Sequence, residues 1–299
     1  MEVLTLKKLA VLMLVVAFSL TALFGATLTV GAKNFTEQYV LGNLASLLLE
    51  ENGFNVVERF GLSSFVARQG LTTGQIDLYP DYTGTAWVTY LDQEEIINDP
   101  DELLEKVREL DAENGVVWLD RINANNTYAL AIRQEDYEKY GFETLSDLVA
   151  YWNEHPNEFV VGVDYEFYER PDGFFAFADH YGLDIQDSQV STMQLGLTYE
   201  AISNNKIDIA MVFATDPKIL RYNLHVLEDD QNFWPYYHIS YAVRKDVLDE
   251  YPEIEEILRP LTQYLNQDIL IRLNYRVDVD GVEPEVVARD YLQGLGLIE

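Results

Sequence analysis

From residue 27 onward, short apolar runs alternate with segments whose apolar residues recur every three or four positions. LTVGAK (28–33) predicts a buried strand. The next segment carries Val40, Leu41, Leu44, Leu47 and Leu48 on one helical face, and Gly53 marks its end. Asn34 stands where it could cap this helix, with Glu37 three residues later completing a capping box. NVVERF (55–60) predicts a second strand, residues 64–73 a short helix stopped at Gly74, and QIDLYP (75–80) a third strand. Pro100 opens a further helix with Leu103, Leu104, Val107 and Leu110 inward and Gly115 at its close. Strands alternating with helices predict a parallel sheet with covering helices.

The second half repeats the plan. VGAK (30–33) and VGVD (161–164) are 131 residues apart, and so are QID (75–77) and KID (206–208). Leu71 and Ile202 share that spacing, as do Tyr82 and Phe213. The expected fold is α/β: two similar lobes joined by two hinge strands. The hinge candidates are TYALAIR (127–133) and HISYAVR (238–244), similar apolar strands that both end in arginine. Lobe I is expected over 27–129 plus 241–299 and lobe II over 130–240, with helices at 251–267 and 284–294 packing back on lobe I. Ligands of open parallel sheets sit at the carboxyl ends of strands, so Tyr82 and Phe213 should face one cleft from opposite sides.

The first 26 residues stand apart. Lys7 and Lys8 precede an apolar run from Leu9 to Phe24, and small residues follow at Gly25 and Ala26. This is the layout of an export signal peptide, with a cut after Gly25 or Ala26; a retained anchor is the alternative. The remaining chain, about 273 residues, has room for two lobes. It lacks cysteine, so it must fold without disulfides, and thiol chemistry is excluded. The 51 acidic and 20 basic side chains give a net charge of −31, which repels nucleic acid and anionic lipid.

Motifs of catalysis do not appear: no GxSxG, Walker loop, GxGxxG or HExxH is present. The four histidines lack metal-ligand spacing, and each reads as a surface or packed residue. DVDG (278–281) fails as a calcium loop, because Arg276 falls where a carboxylate is required. No metal and no cofactor is expected, and nothing argues for an enzyme. Aromatic residues, in contrast, make up 13% of the chain, with 20 tyrosines. Aromatic faces in a dry cleft attract a cation, and they suit a quaternary ammonium that has no N–H to donate. A carboxylate on the same ligand would need a cation opposite. Lys33, at a strand end before a helix, and Arg170, after the matching strand of the second half, are the candidates.

GAKNFTEQY, DYTGTAW, NTYALAIR, EFYERPDG, LTYEAI and ATD, in that order, resemble the substrate-binding proteins of ABC importers for glycine betaine, choline and related solutes. The resemblance spans residues 28–295. It implies the two-lobed type II periplasmic-binding-protein fold. It also implies an aromatic box of Tyr82, Tyr128, Tyr199 and Phe213 around a trimethylammonium group. Arg170 and Lys33 would clamp the carboxylate, assisted by Thr85, and Asn126 would position the ligand where some relatives have aspartate. Phe213 stands where tyrosine is frequent, so one hydroxyl is missing. The implied partners are a quaternary ammonium solute and a membrane permease driven by a separate ATPase, with no nucleic acid. The implied location is periplasmic or extracytoplasmic, and the chain is expected to be a monomer. Taken singly, Tyr82 reads equally well as a cap on the core, Tyr128 as packing on a hinge strand, Tyr199 by default as core, Arg170 as a partner of Glu166 or Asp172, and Lys33 as a partner of Glu37. A binder of another cation, such as a basic amino acid or polyamine, would instead set carboxylates against N–H donors.

Overall fold

The computed structural model describes residues 25–97 and 99–299. The expected signal peptide therefore lies outside the described residues, except for its last two positions. The carbonyls of Gly25 and Ala26 accept hydrogen bonds from the side chain and backbone N–H of Asn55, at 2.6 and 2.8 Å.

Among the described residues, ten strands build two sheets: β1 (Thr27–Lys33), β2 (Asn55–Leu62), β3 (Leu78–Tyr82), β4 (Val116–Trp118), β5 (Tyr128–Arg133), β6 (Val161–Asp164), β7 (Val190–Met193), β8 (Ile209–Phe213), β9 (Leu224–Val226) and β10 (Ile239–Arg244). The orders are β2-β1-β3-β10-β4 and β7-β6-β8-β5-β9. In each sheet four strands run one way, and the fifth, the crossing strand β10 or β5, is antiparallel to both its neighbours. The two-lobed α/β expectation holds.

The repeat seen in the sequence is a repeat of register. Val30 pairs with Leu78 and Val161 with Ile209, the same 131-residue shift. The aspartates of QID and KID do the same work twice. Asp77 accepts from Thr29 N–H at 2.7 Å, and Asp208 accepts from Val160 N–H at 3.0 Å. The arginines that end the crossing strands meet these carboxylates: Arg244 on Asp77 and Arg133 on Asp208, both at 3.1 Å. An ion pair thus ties each crossing strand to its sheet.

β5 lies wholly in the second sheet and β10 wholly in the first, so the expected boundaries after 129 and 240 fall inside strands. The chain crosses between sheets over 119–127 and 227–238, and these passages run side by side. Ile122 N–H donates to Ile239 at 2.7 Å and Asn126 N–H to Tyr237 at 3.1 Å.

The helices that position the site are α1 (Thr36–Glu51), α2 (Ser64–Thr72), α3 (Pro100–Asp111), α4 (Tyr165–Glu169), α5 (Thr198–Ser203), α6 (Glu253–Tyr264), α7 (Gln267–Asp278) and α8 (Pro284–Gly294). α6, α7 and α8 all pack on α1, as expected for the chain end, although α7 was not foreseen. Three other local expectations change. Phe35, not Asn34, occupies the N-cap of α1, and Glu37 turns inward instead of closing a capping box. Leu110 is 37% exposed, because Asp111 takes the inward position of that turn, where Arg68 and Trp118 hold its carboxylate. β3 begins at Leu78 because Gln75 and Ile76 still bond back to Gly70 at the end of α2.

Candidate ligand-binding site

Lys33, Tyr82, Asp164 and Phe213 end β1, β3, β6 and β8, and all four line one cavity of about 430 Å³, mouth included. Tyr128, at the start of β5, Thr85, Asn126 and Arg170 line it too. Seven of the eight predicted residues are therefore brought together. Tyr199 is the exception. It lies on α5 behind β8, is buried, and packs with Ala129, Ile202 and Val212. Its hydroxyl accepts from Phe213 N–H at 3.1 Å, so it supports a wall residue without reaching the cavity.

Phe35 takes the vacant place in the aromatic set. Its ring stacks on Phe213 at 5.4 Å and 12°, and on Tyr82 at 6.2 Å and 21°. Tyr128 leans on Phe213 at 5.3 Å and meets Tyr237 edge-on at 5.6 Å. Phe35 and Tyr237 were both missed. Phe35 had a readable signal, an aromatic directly after a strand end and before a helix. Tyr237 had none, since nothing in PYYH separates it from its neighbours.

The cationic groups are committed to protein carboxylates. Lys33 Nζ bonds Asp81 at 2.5 Å, not Glu37, and lies 5.1 Å from the Tyr82 ring centre. Arg170 grips Asp172 through Nε and Nη2 at 2.7 and 2.6 Å, which leaves Nη1 with a long 3.4 Å contact to Glu166. Its guanidinium carbon sits 5.4 Å over the Tyr128 ring. Nη1 of Arg170 is thus the least committed donor for a ligand anion.

The acidic groups on the wall are also engaged. Asp164 caps α4 through the N–H groups of Glu166 and Phe167. Glu166 accepts from Ser64 N–H at 3.3 Å, a bond between lobes. Burial opposes ionisation of Glu166, but Lys33 and Arg170 outweigh it and hold its carboxyl below the usual range. Behind the wall, Glu37 accepts from the Tyr82 hydroxyl and Asn126 Nδ2, both at 2.9 Å, and from Asn274 Nδ2 at 3.3 Å. Burial pushes the Glu37 carboxyl up. This buried acid orients both the Tyr82 ring and the Asn126 amide, a role that a capping reading could not anticipate.

Residues 26–294 match the family model for the substrate binding domain of the ABC-type glycine betaine transport system. A glycine-betaine-binding protein of Pseudomonas aeruginosa is 33% identical over 278 residues, covering 91% of this chain and 89% of that protein. An ergothioneine transport permease/ergothioneine binding protein of Helicobacter pylori is 36% identical over 272 residues, covering 90% of this chain, which spans only 48% of that longer relative. The crystal structure of a glycine betaine/carnitine/choline ABC transporter superposes with a TM-score of 0.71 at 29% identity, covering 91% of this chain and 100% of the other. The chain belongs to the family of substrate-binding domains of ABC-type glycine betaine transport systems: it is an extracytoplasmic binding protein that works with a permease, and not an enzyme.

Proposed function

We propose that this chain captures a betaine, a zwitterion with a trimethylammonium head and a carboxylate, between its two lobes. The observation that carries the reading is the ring set of one cavity. Phe35 and Tyr82 come from the first lobe, Tyr128 and Phe213 from the second, with Arg170 on the same wall. The rings meet the methyl-covered cation, while Arg170 Nη1, Lys33 and Thr85 meet the carboxylate. Asn126, held by Glu37, positions the ligand between them. Tyr199 acts from behind, through Phe213. The compounds named for the relatives, glycine betaine and ergothioneine, share both ligand ends.

Binding draws the lobes together about the crossing passages at 119–127 and 227–238, because the ligand gains ring contacts from both sides only when they close. The closed protein then docks as a monomer on a permease powered by a separate ATPase. Its leader is removed near Gly25. The test is calorimetric titration with glycine betaine, choline and carnitine. Phe35→Ala and Tyr82→Ala are each expected to weaken binding at least tenfold, in line with about 2 kcal/mol for a desolvated cation–ring contact. Unchanged affinity in both variants refutes the ring assignment.

A cation with N–H donors is the competing reading, because Asp164 and Glu166 also line the cavity. Both carboxylates already hold protein donors, which favours the betaine. Displacement of bound betaine by arginine or spermidine at equal concentration would reverse that choice.

A further inference from the structure

Three carboxylates stand against the two clamp cations, and they are held unequally. Asp81 has Lys33, the Tyr79 hydroxyl and the Tyr82 N–H, and is fully buried. Asp172 has two Arg170 nitrogens and the Tyr237 hydroxyl, and is buried as well. Glu166 has two long contacts, to Arg170 Nη1 at 3.4 Å and to Ser64 N–H of the other lobe at 3.3 Å, and its side chain is 25% exposed. Glu166 also has somewhere to go. It lines the ligand cavity and, on its other side, a basin of about 1110 Å³, mouth included, which carries the exposed Phe65 and Tyr165. The cations, in turn, are sealed: the Arg170 side chain is 1% exposed and that of Lys33 3%. Tyr128 lies under the guanidinium, and Glu166 stands at Nη1. A ligand anion therefore reaches Arg170 in exchange for Glu166.

We propose that Glu166 is an internal counter-anion that sets the choice between a zwitterion and a simple cation: it fills the place of the ligand carboxylate, and a betaine displaces it into the basin whereas choline leaves it where it is. The inference rests on the betaine reading of the cavity. For a betaine, the exchange trades one carboxylate for another on Nη1 and breaks the Ser64 bond, so the ligand carboxylate adds little net affinity. For choline, which has no carboxylate, nothing is displaced, and the Glu166 charge attracts its ammonium. Lys33 and Arg170 hold the Glu166 carboxyl below the usual range despite its burial, so the group is an anion at neutral pH. The rings hold both ligands alike, and Glu166 discriminates by setting a like charge against one of them.

Calorimetric titration of the intact protein with glycine betaine and choline tests this. Glu166→Gln, which keeps the shape and removes the charge, should tighten glycine betaine and weaken choline, raising the preference for betaine at least about fivefold. Using the ratio cancels any change in lobe closure from the altered Ser64 contact. A preference that rises less than this, or moves toward choline, overturns the inference and leaves the betaine reading standing. Wild-type protein that binds neither probe overturns both. A crystal structure with glycine betaine should show the ligand carboxylate at Arg170 Nη1 and Glu166 turned into the basin; Glu166 still at Nη1 overturns the inference. If Glu166→Gln does not fold, Ser64→Pro serves instead. It removes the N–H that anchors Glu166, at the first position of α2, where proline fits and the extended Ser63 precedes it. The preference for betaine should then rise about threefold, and an unchanged preference overturns the inference.

Discussion

Lys33 and Asp164 occupy the same place in the two lobes, the last residue of the middle strand of each parallel trio, β1 and β6. One is a cation bound to Asp81, and the other is an anion capping α4. Tyr82 and Phe213 are likewise equivalent, yet only Tyr82 has a hydroxyl, which is given to Glu37. The sheets beneath are alike down to the ion pairs Arg244–Asp77 and Arg133–Asp208. The lobes therefore share their mechanics and divide their chemistry. Strand positions are constrained by register and by burial on both faces, whereas residues at the carboxyl ends meet only the cleft and are free to diverge.

The cation side of the division gives the largest expected effect. Arg170→Met leaves the buried Asp172 without its ion-pair partner and with the Tyr237 hydroxyl as its one remaining side-chain donor, and should cost about 3–5 kcal/mol in urea unfolding. Lys33→Met should cost less, because Asp81 keeps the Tyr79 hydroxyl and Tyr82 N–H as donors. A reversed order would show that the lobe I pair is the stronger anchor. Next comes Tyr199→Ala, expected to cost about 3 kcal/mol as a core truncation while betaine affinity of the folded protein changes less than threefold, about 0.7 kcal/mol. A larger loss of affinity would return Tyr199 to the cavity wall.

The third test concerns acid. His238 precedes β10, and the matching position before β5 is Thr127, which does not titrate. Burial lowers the His238 ring to about 4, with Arg121 acting in the same direction and Asp101 opposing. The fold thus favours the neutral ring. Its contribution is complete above pH 6.5 and lost as pH falls toward 4, worth about 2 kcal/mol after allowance for screening. His238→Gln should flatten that part of the urea midpoint against pH curve, and an unchanged slope would remove His238 as the cause. The smallest effect tests the mechanical likeness directly. Asp77→Asn and Asp208→Asn should each cost about 1–2 kcal/mol and agree within about 1 kcal/mol. A wider gap in thermal unfolding would mean that the two sheets are not tied equally.

How far the sequence reaches can be judged residue by residue. The sheets were legible because strand alternation and spacing are local signals, and a duplicated plan states them twice. Seven of the eight predicted site residues line the cavity, since strand ends of an open sheet converge on its cleft. Tyr199 failed because a residue in the first turn of a helix faces either the cleft or the sheet, and only packing decides which. Asn34 failed as a cap for a related reason: Glu37 has better partners elsewhere. Those partners, Tyr82, Asn126 and Asn274, lie 45, 89 and 237 residues away along the chain.

Periodicity and the 131-residue repeat were enough to establish two α/β lobes with aromatic strand ends, because each strand carries its own pattern of burial. The Lys33–Asp81 pair, the Phe35 wall and the two amides oriented by Glu37 came only with the assembled molecule. A buried polar side chain is placed by whichever donor or acceptor the fold brings within about 3 Å, and chain order says nothing about that distance.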